Sequence, residues 1–80
     1  MTVKEKILTE YPSVNNFLDT KHLEGKLKMS RTYLYTLINH TQNVNPTVAA
    51  LIQLAELVGL SQEEVFNEYS AGHRDRQLSN

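Results

Sequence analysis

The 80-residue chain contains no cysteine, and this absence excludes a disulfide scaffold, a thiolate zinc site, an iron–sulfur cluster and a thiol nucleophile. The chain also lacks an apolar run near the roughly 20 residues needed to cross a bilayer. Its start shows no secretion signal, so we expect a cytoplasmic protein outside the membrane. A chain this short folds as one domain around one small core, with little room for several catalytic groups. The sequence therefore predicts a protein that is not an enzyme and has no cofactor.

Glycine is also scarce, and the three glycines are too scattered to form a phosphate-binding loop. No sustained alternation of apolar and polar residues indicates a strand. The histidines, His22, His40 and His73, share no helical face and have no cysteine or paired carboxylate nearby. We therefore expect no metal site.

Helical signals fill most of the chain. A first helix is predicted from about Thr2 to Tyr11, with Val3, Ile7 and Leu8 as its apolar residues, and Pro12 ends it. The next stretch, Ser13 to Leu18, is compatible with a short capped turn or with a helix that runs on into the following one.

Two further helices occupy the middle of the chain. Asp19 is a suitable N-cap for a second helix over about Thr20 to Lys28, whose apolar edge consists of Leu23 and Leu27. Ser30 is the expected N-cap of a third helix that covers Arg31 to Asn39.

The fourth helix, Thr47 to Val58, is apolar on nearly every side and should lie at the centre of a bundle. We expect Asn45 to cap it, with Pro46 in its first turn, and Gly59 to end it. Ser61 and Glu64 form a capping-box pattern that opens a short fifth helix. Residues 1–69 are thus predicted to form the folded domain, and residues 70–80 a polar, flexible tail.

The net charge of −1 conceals an uneven distribution along the chain. Residues 20–46 include four basic residues and one acidic residue, whereas residues 50–69 include four glutamates and no lysine or arginine. A basic middle segment favours contact with nucleic acid, although short segments also vary this much by chance.

The third helix has a distinctive polar face. At about 100° per residue, Tyr33, Leu34, Leu37 and Ile38 fall on one side, which indicates that Tyr33 belongs to the core. The opposite side contains Arg31, Thr32, Tyr35, Thr36 and Asn39. Arg31 donates hydrogen bonds, the other four side chains can both donate and accept them, and none of the five is acidic. Arginine pairs well with guanine, asparagine with adenine, and hydroxyls with either base or phosphate, so this side suits contact with DNA.

Residues from about Thr20 to Phe66 resemble the helix-turn-helix domain of the XRE or Cro-repressor-like (lambda repressor-like) family. The resemblance rests on LEGKLKMSRTYLYTLIN for the two-helix motif and on NPTVAALIQLAELVGLSQEEVF for the following two helices. It implies a compact all-α five-helix bundle whose helix-turn-helix consists of helices 2 and 3. Two positions depart from the family pattern: Glu24 stands where a small residue is usual, and Lys28 where the turn usually has glycine.

The resemblance also assigns roles to individual residues. Base contacts would come from Arg31, Thr32, Tyr35 and Thr36, with Asn39 near the end of the helix. Ser30, Lys21, Lys28 and Asn43 would contact the phosphate backbone.

These features together predict a sequence-specific binder of double-stranded DNA, a small transcriptional repressor that acts by occupying its operator. Because one such domain contacts few base pairs, we expect a homodimer on a palindromic operator. The sequence does not give the dimer surface directly; the resemblance nominates the last helix, around Val65 and Phe66, and the tail, which are the usual candidates in the family. The alternative is a protein-interaction module, an antirepressor or antitoxin that uses the same fold to bind another regulator.

Overall fold

The computed structural model describes the backbone of residues 1–40 and 44–78 and the side chains of residues 1–40 and 44–70. In chain order its helices are α1 (Val3–Glu10), α2 (Val14–Leu23), α3 (Arg31–Asn39), α4 (Val48–Val58) and α5 (Gln62–Leu78). The described residues contain no strand, which confirms the all-α prediction. None of these helices is long and apolar enough to span a bilayer.

A single apolar core joins the helices. α4 packs against α5 and α1, and α2 packs against α3 and α1. Most fully buried are Val3, Ile7, Phe17, Leu18, Leu34, Leu37, Ile38, Leu54, Val65 and Tyr69. At about 25 cal/mol per Å² of apolar surface removed from water, burial of these side chains is the main stabilising contribution.

α1 begins with a capping box. The Thr2 hydroxyl accepts from the Glu5 N–H (3.1 Å), and the Glu5 carboxylate accepts from the Thr2 N–H (2.8 Å). The Thr2 backbone N–H, and after it the Thr2 side chain, lowers the pKa of Glu5 below its ordinary value. Val3 and Ile7 face the core as predicted, but Leu8 is exposed, because only positions four apart share the narrow buried stripe of this short helix.

The second helix lies earlier in the chain than about Thr20 to Lys28. Ser13, rather than Asp19, caps it by accepting from the Asn16 N–H (3.0 Å), which confirms the alternative that the stretch from Ser13 to Leu18 runs on into the following helix. The helix ends at Leu23 rather than Lys28. Gly25 causes this early end: at φ +73° it adopts the left-handed conformation. The Gly25 N–H donates to His22 O and the Lys26 N–H donates to Lys21 O, both at 3.0 Å. These two bonds form a Schellman motif, which stops a helix.

The connector between α2 and α3, residues 24–30, is therefore longer than the tight turn expected between the motif helices. Leu23 is 86% exposed and does not provide the predicted apolar edge. Leu27 and Met29 are half-buried against the core instead. The Lys28 N–H donates to Oε1 of the buried Gln53 (2.6 Å), so the connector is fixed to α4.

α4 and α5 follow the sequence more closely, with two differences. Thr47, not Asn45, caps α4 by accepting from the Ala50 N–H (3.1 Å), since Thr47 directly precedes the apolar run and is itself a good cap. Gly59 ends α4 at φ +78°, and Ser61 caps α5, both as expected. α5 continues to Leu78, well into residues 70–80, where Ala71 and several other good helix formers follow Tyr69.

Candidate nucleic-acid interface

The outer face of α3, defined here as Thr32, Tyr33, Tyr35, Thr36 and Asn39, is accessible to solvent and rich in hydrogen-bonding groups. Leu34, Leu37 and Ile38 on the other side are fully or almost fully buried, so they fix the rotation of α3 about its axis. Ser30 caps α3 by accepting from the Tyr33 N–H (3.1 Å). The helix is thus held in one orientation from its first turn.

Tyr33 corrects one prediction. Its exposed fraction is 37%, equal to that of Tyr35, so it is not a core residue. The outward direction of α3 is opposite the mean direction of its buried residues. On a helical wheel at 100° per residue, Tyr33 and Tyr35 lie on either side of this outward direction, each roughly 80° from it. The two phenol rings therefore border the outer face, and Thr32, Thr36 and Asn39 form its centre.

Two side chains at the centre of this face bond to the helix itself. The Thr36 hydroxyl donates to Thr32 O (3.1 Å), and the Asn39 Nδ2 donates to Tyr35 O (3.0 Å). These bonds orient the side chains but leave hydrogen-bonding groups available for a ligand. The amide still has one N–H donor and its oxygen acceptor, and the hydroxyl keeps its acceptor lone pairs. Asn39 retains one N–H and its oxygen, the pair needed to recognise adenine.

Arg31 lies at the edge of this face and contacts α2. Its Nε donates to Asp19 Oδ1 (2.8 Å), and its Nη2 donates to Asn15 Oδ1 (2.9 Å). The residues Asn15 and Asp19 were not predicted as part of the site. Their spacing of one helical turn was the available signal, but it requires that α2 begin near Ser13.

Lys21 and Lys28 line one groove together. The groove has a volume of about 350 Å³ and is also lined by Gly25, Lys26, Gln53, Glu56 and Leu57. Lys21 is additionally held above the Phe17 ring, with its Nζ 5.9 Å from the ring centroid. The two predicted phosphate contacts are thus neighbours of each other, in a groove to which no residue of α3 contributes.

Exposed carboxylates accompany the basic residues of the middle segment. Lys21 and Lys26 both approach Glu24 (3.6 and 3.4 Å), Lys28 approaches Glu56 (3.4 Å), and Arg31 approaches Asp19 (2.8 Å). Asp19 and Glu56 lie outside residues 20–46, which is why the local charge appears more positive in the sequence than in the fold. Exposed pairs of this kind contribute about 0–1 kcal/mol each, so a phosphate can replace the carboxylate at small cost.

Ser30 and Asn43 are the other two predicted phosphate contacts. Ser30 is exposed at the start of α3, where its hydroxyl serves as the cap. Asn43 lies outside the described residues. Within the residues that the structure describes, no three side chains of histidine, aspartate or glutamate gather in a way that would hold a metal ion.

Comparison of the chain with protein-family models, with curated proteins and with solved structures gives no match.

Proposed function

We propose that this protein binds double-stranded DNA through the outer face of α3 and regulates transcription by occupying an operator. The observation that carries the proposal is the composition of that face: hydroxyl, phenol and amide groups without a single acid, backed by fully buried leucines. A face that merely contacts solvent is usually rich in glutamate and lysine. An acid-free face avoids repulsion from phosphates.

The dimensions of α3 suit a groove as well. An α-helix with its side chains is about 10–12 Å wide, and the major groove of B-DNA is about 12 Å wide. In the proposed complex Thr32 and Thr36 contact base edges at the centre of the face, and Asn39 pairs with adenine. Tyr33 and Tyr35 border the groove and contact sugar or phosphate. Arg31 reads guanine from the edge of the face.

In this proposal α2 and α3 form a helix-turn-helix of the lambda repressor-like type with an extended connector, residues 24–30. With its connector fixed to α4 by Gln53, α3 keeps a defined position relative to the bundle. One domain reads few base pairs, so the active species is a homodimer on two half-sites about 34 Å apart, or a multiple of that distance. Lys21 and Lys28 contribute to the general electrostatic attraction rather than to base readout.

Selection of bound duplexes from a random DNA pool tests this proposal. We expect enrichment of a palindromic sequence. Arg31→Ala should then lower affinity for that sequence by about 1–3 kcal/mol and relax the preference at one base pair. Lys4→Ala, on the exposed surface of α1, is the control for the loss of one positive charge. Failure to enrich any sequence, or equal effects of the two variants, would contradict the proposal.

A second candidate function is the protein-interaction module. It is favoured by large apolar side chains on the surface, above all Leu23 (86% exposed) and Val48 (62% exposed). A salt titration separates the two functions. DNA affinity should fall steeply as salt rises. A plot of the logarithm of the association constant against the logarithm of the salt concentration should have a slope of about −0.9 for each phosphate neutralised. Binding of an apolar partner would change little.

A further inference from the structure

Arg31 donates hydrogen bonds from one edge of its guanidinium, the edge formed by Nε and Nη2. The hydrogen bonds that the described residues form with it use Nε, which donates to Asp19 Oδ1 (2.8 Å), and Nη2, which donates to Asn15 Oδ1 (2.9 Å) and lies 3.5 Å from Asn15 O. Nη1 takes part in none of them. Because a guanidinium is planar and its donors form a rigid fork, two bonds along one edge fix the plane of the whole group.

Both partners lie on α2, one helical turn apart, and the Arg31 side chain is 37% exposed. The contact therefore sits at the surface between α2 and the first turn of α3. As an exposed pair it contributes about 0–1 kcal/mol to stability. What the two acceptors do provide is orientation of a long, flexible side chain at the edge of the outer face of α3.

We propose that Asn15 and Asp19 are positioning residues that hold Arg31 ready to read a guanine. This inference rests on the proposed DNA-binding function. Asn15 and Asp19 occupy the edge formed by Nε and Nη2. The opposite end of the fork, Nη1 with the outer N–H of Nη2, then donates to guanine O6 and N7, the acceptors that arginine recognises in the major groove.

The alternative role for Asp19 is competition: its carboxylate would simply neutralise Arg31 and weaken binding to every sequence. The two roles predict opposite changes in specificity, defined here as the ratio of affinities for the selected duplex and for the same duplex with one guanine replaced. Positioning predicts that the loss of Asp19 lowers this ratio. Competition predicts that affinity rises for both duplexes and the ratio stays the same.

The test compares Asp19→Ala, which removes the acceptor of the Arg31 Nε–H, with the unmodified protein by fluorescence anisotropy on the two duplexes. We expect the ratio to fall about tenfold, within the range of one bidentate base contact, while affinity for an unrelated duplex stays equal or rises. Glu56→Ala is the matched control, because it removes another exposed carboxylate that pairs with a cation, Lys28, outside α3. It should leave the ratio unchanged. Circular dichroism verifies that each variant is folded.

Arg31→Ala completes a double-mutant cycle. If Asp19 acts through Arg31, Asp19→Ala should have no effect on the ratio once Arg31 is alanine. An unchanged ratio in the single Asp19→Ala variant, or an equal fall in the absence of Arg31, would overturn the inference. These outcomes differ from failure of the proposed function, in which the unmodified protein would prefer no duplex at all.

Discussion

Replacement of Tyr69 by phenylalanine tests how α5 supports α3. The Tyr69 side chain is 1% exposed, and its hydroxyl donates to Leu37 O (2.8 Å) in the last turn of α3, where helix carbonyls lack donors from within the helix. Phenylalanine keeps the ring and removes only this donor. The net loss of such a bond costs about 1 kcal/mol, and a buried carbonyl left without it raises the cost toward 2 kcal/mol.

We therefore expect Tyr69→Phe to lower the free energy of unfolding by about 1–2 kcal/mol, and the melting temperature by about 4–8 °C for each kcal/mol in a domain of this size. Urea unfolding followed by far-ultraviolet circular dichroism measures the change, provided that the slope with urea is unaltered. Tyr33→Phe, the same substitution at a half-exposed site, should cost less than about 0.5 kcal/mol. Equal stabilities for Tyr69→Phe and the unmodified protein would refute this explanation of how α3 is held.

Three further substitutions probe other parts of the fold. Gly59→Ala should destabilise by about 1 kcal/mol in urea unfolding, because alanine is strained at φ +78° although no atom lies near the added carbon; an unchanged midpoint would contradict this. Gln53→Ala removes the acceptor of the Lys28 N–H and should cost about 1–3 kcal/mol; a neutral result would show that the connector does not need it. The lowered pKa of Glu5 means that its carboxylate stabilises the fold above its unfolded-state pKa and that this contribution is lost as pH falls through the lowered value. In Glu5→Gln the free energy of unfolding should therefore change less as pH falls into the acid range. The same pH dependence in Glu5→Gln and the unmodified protein would show that the capping box does not cause this loss of stability.

Strong local signals made most helix ends predictable. Pro12, Ser30, Gly59 and Ser61 end or begin helices where the sequence predicts, because each acts through its own backbone or through atoms within one turn. The bounds of the second helix differ from the prediction at both ends. Ser13 caps its start, and Gly25, which directly follows the departure from the family pattern at Glu24, ends it before Lys28.

In the candidate site, too, features set by local sequence were predictable and features set by helix packing were not. The outer face of α3 follows from helical periodicity alone, apart from Tyr33, whose position at the border depends on where the core centre lies between Leu34, Leu37 and Ile38. The pairing of Arg31 with Asn15 and Asp19 joins residues 16 and 12 positions apart and depends on how α2 packs on α3. The local spacing of Asn15 and Asp19 places both on one face of α2, but it does not show that Arg31 meets that face.

The central claim is that the outer face of α3 is the surface that meets DNA. The most direct measurement is the change in amide chemical shifts of the ¹⁵N-labelled protein during titration with the selected duplex. We predict that the largest changes fall on residues 31–39, with smaller ones at Asn15 and Asp19. Changes confined to the groove around Lys28 and Glu56, or none at all at DNA concentrations that saturate the salt-sensitive binding, would contradict the claim.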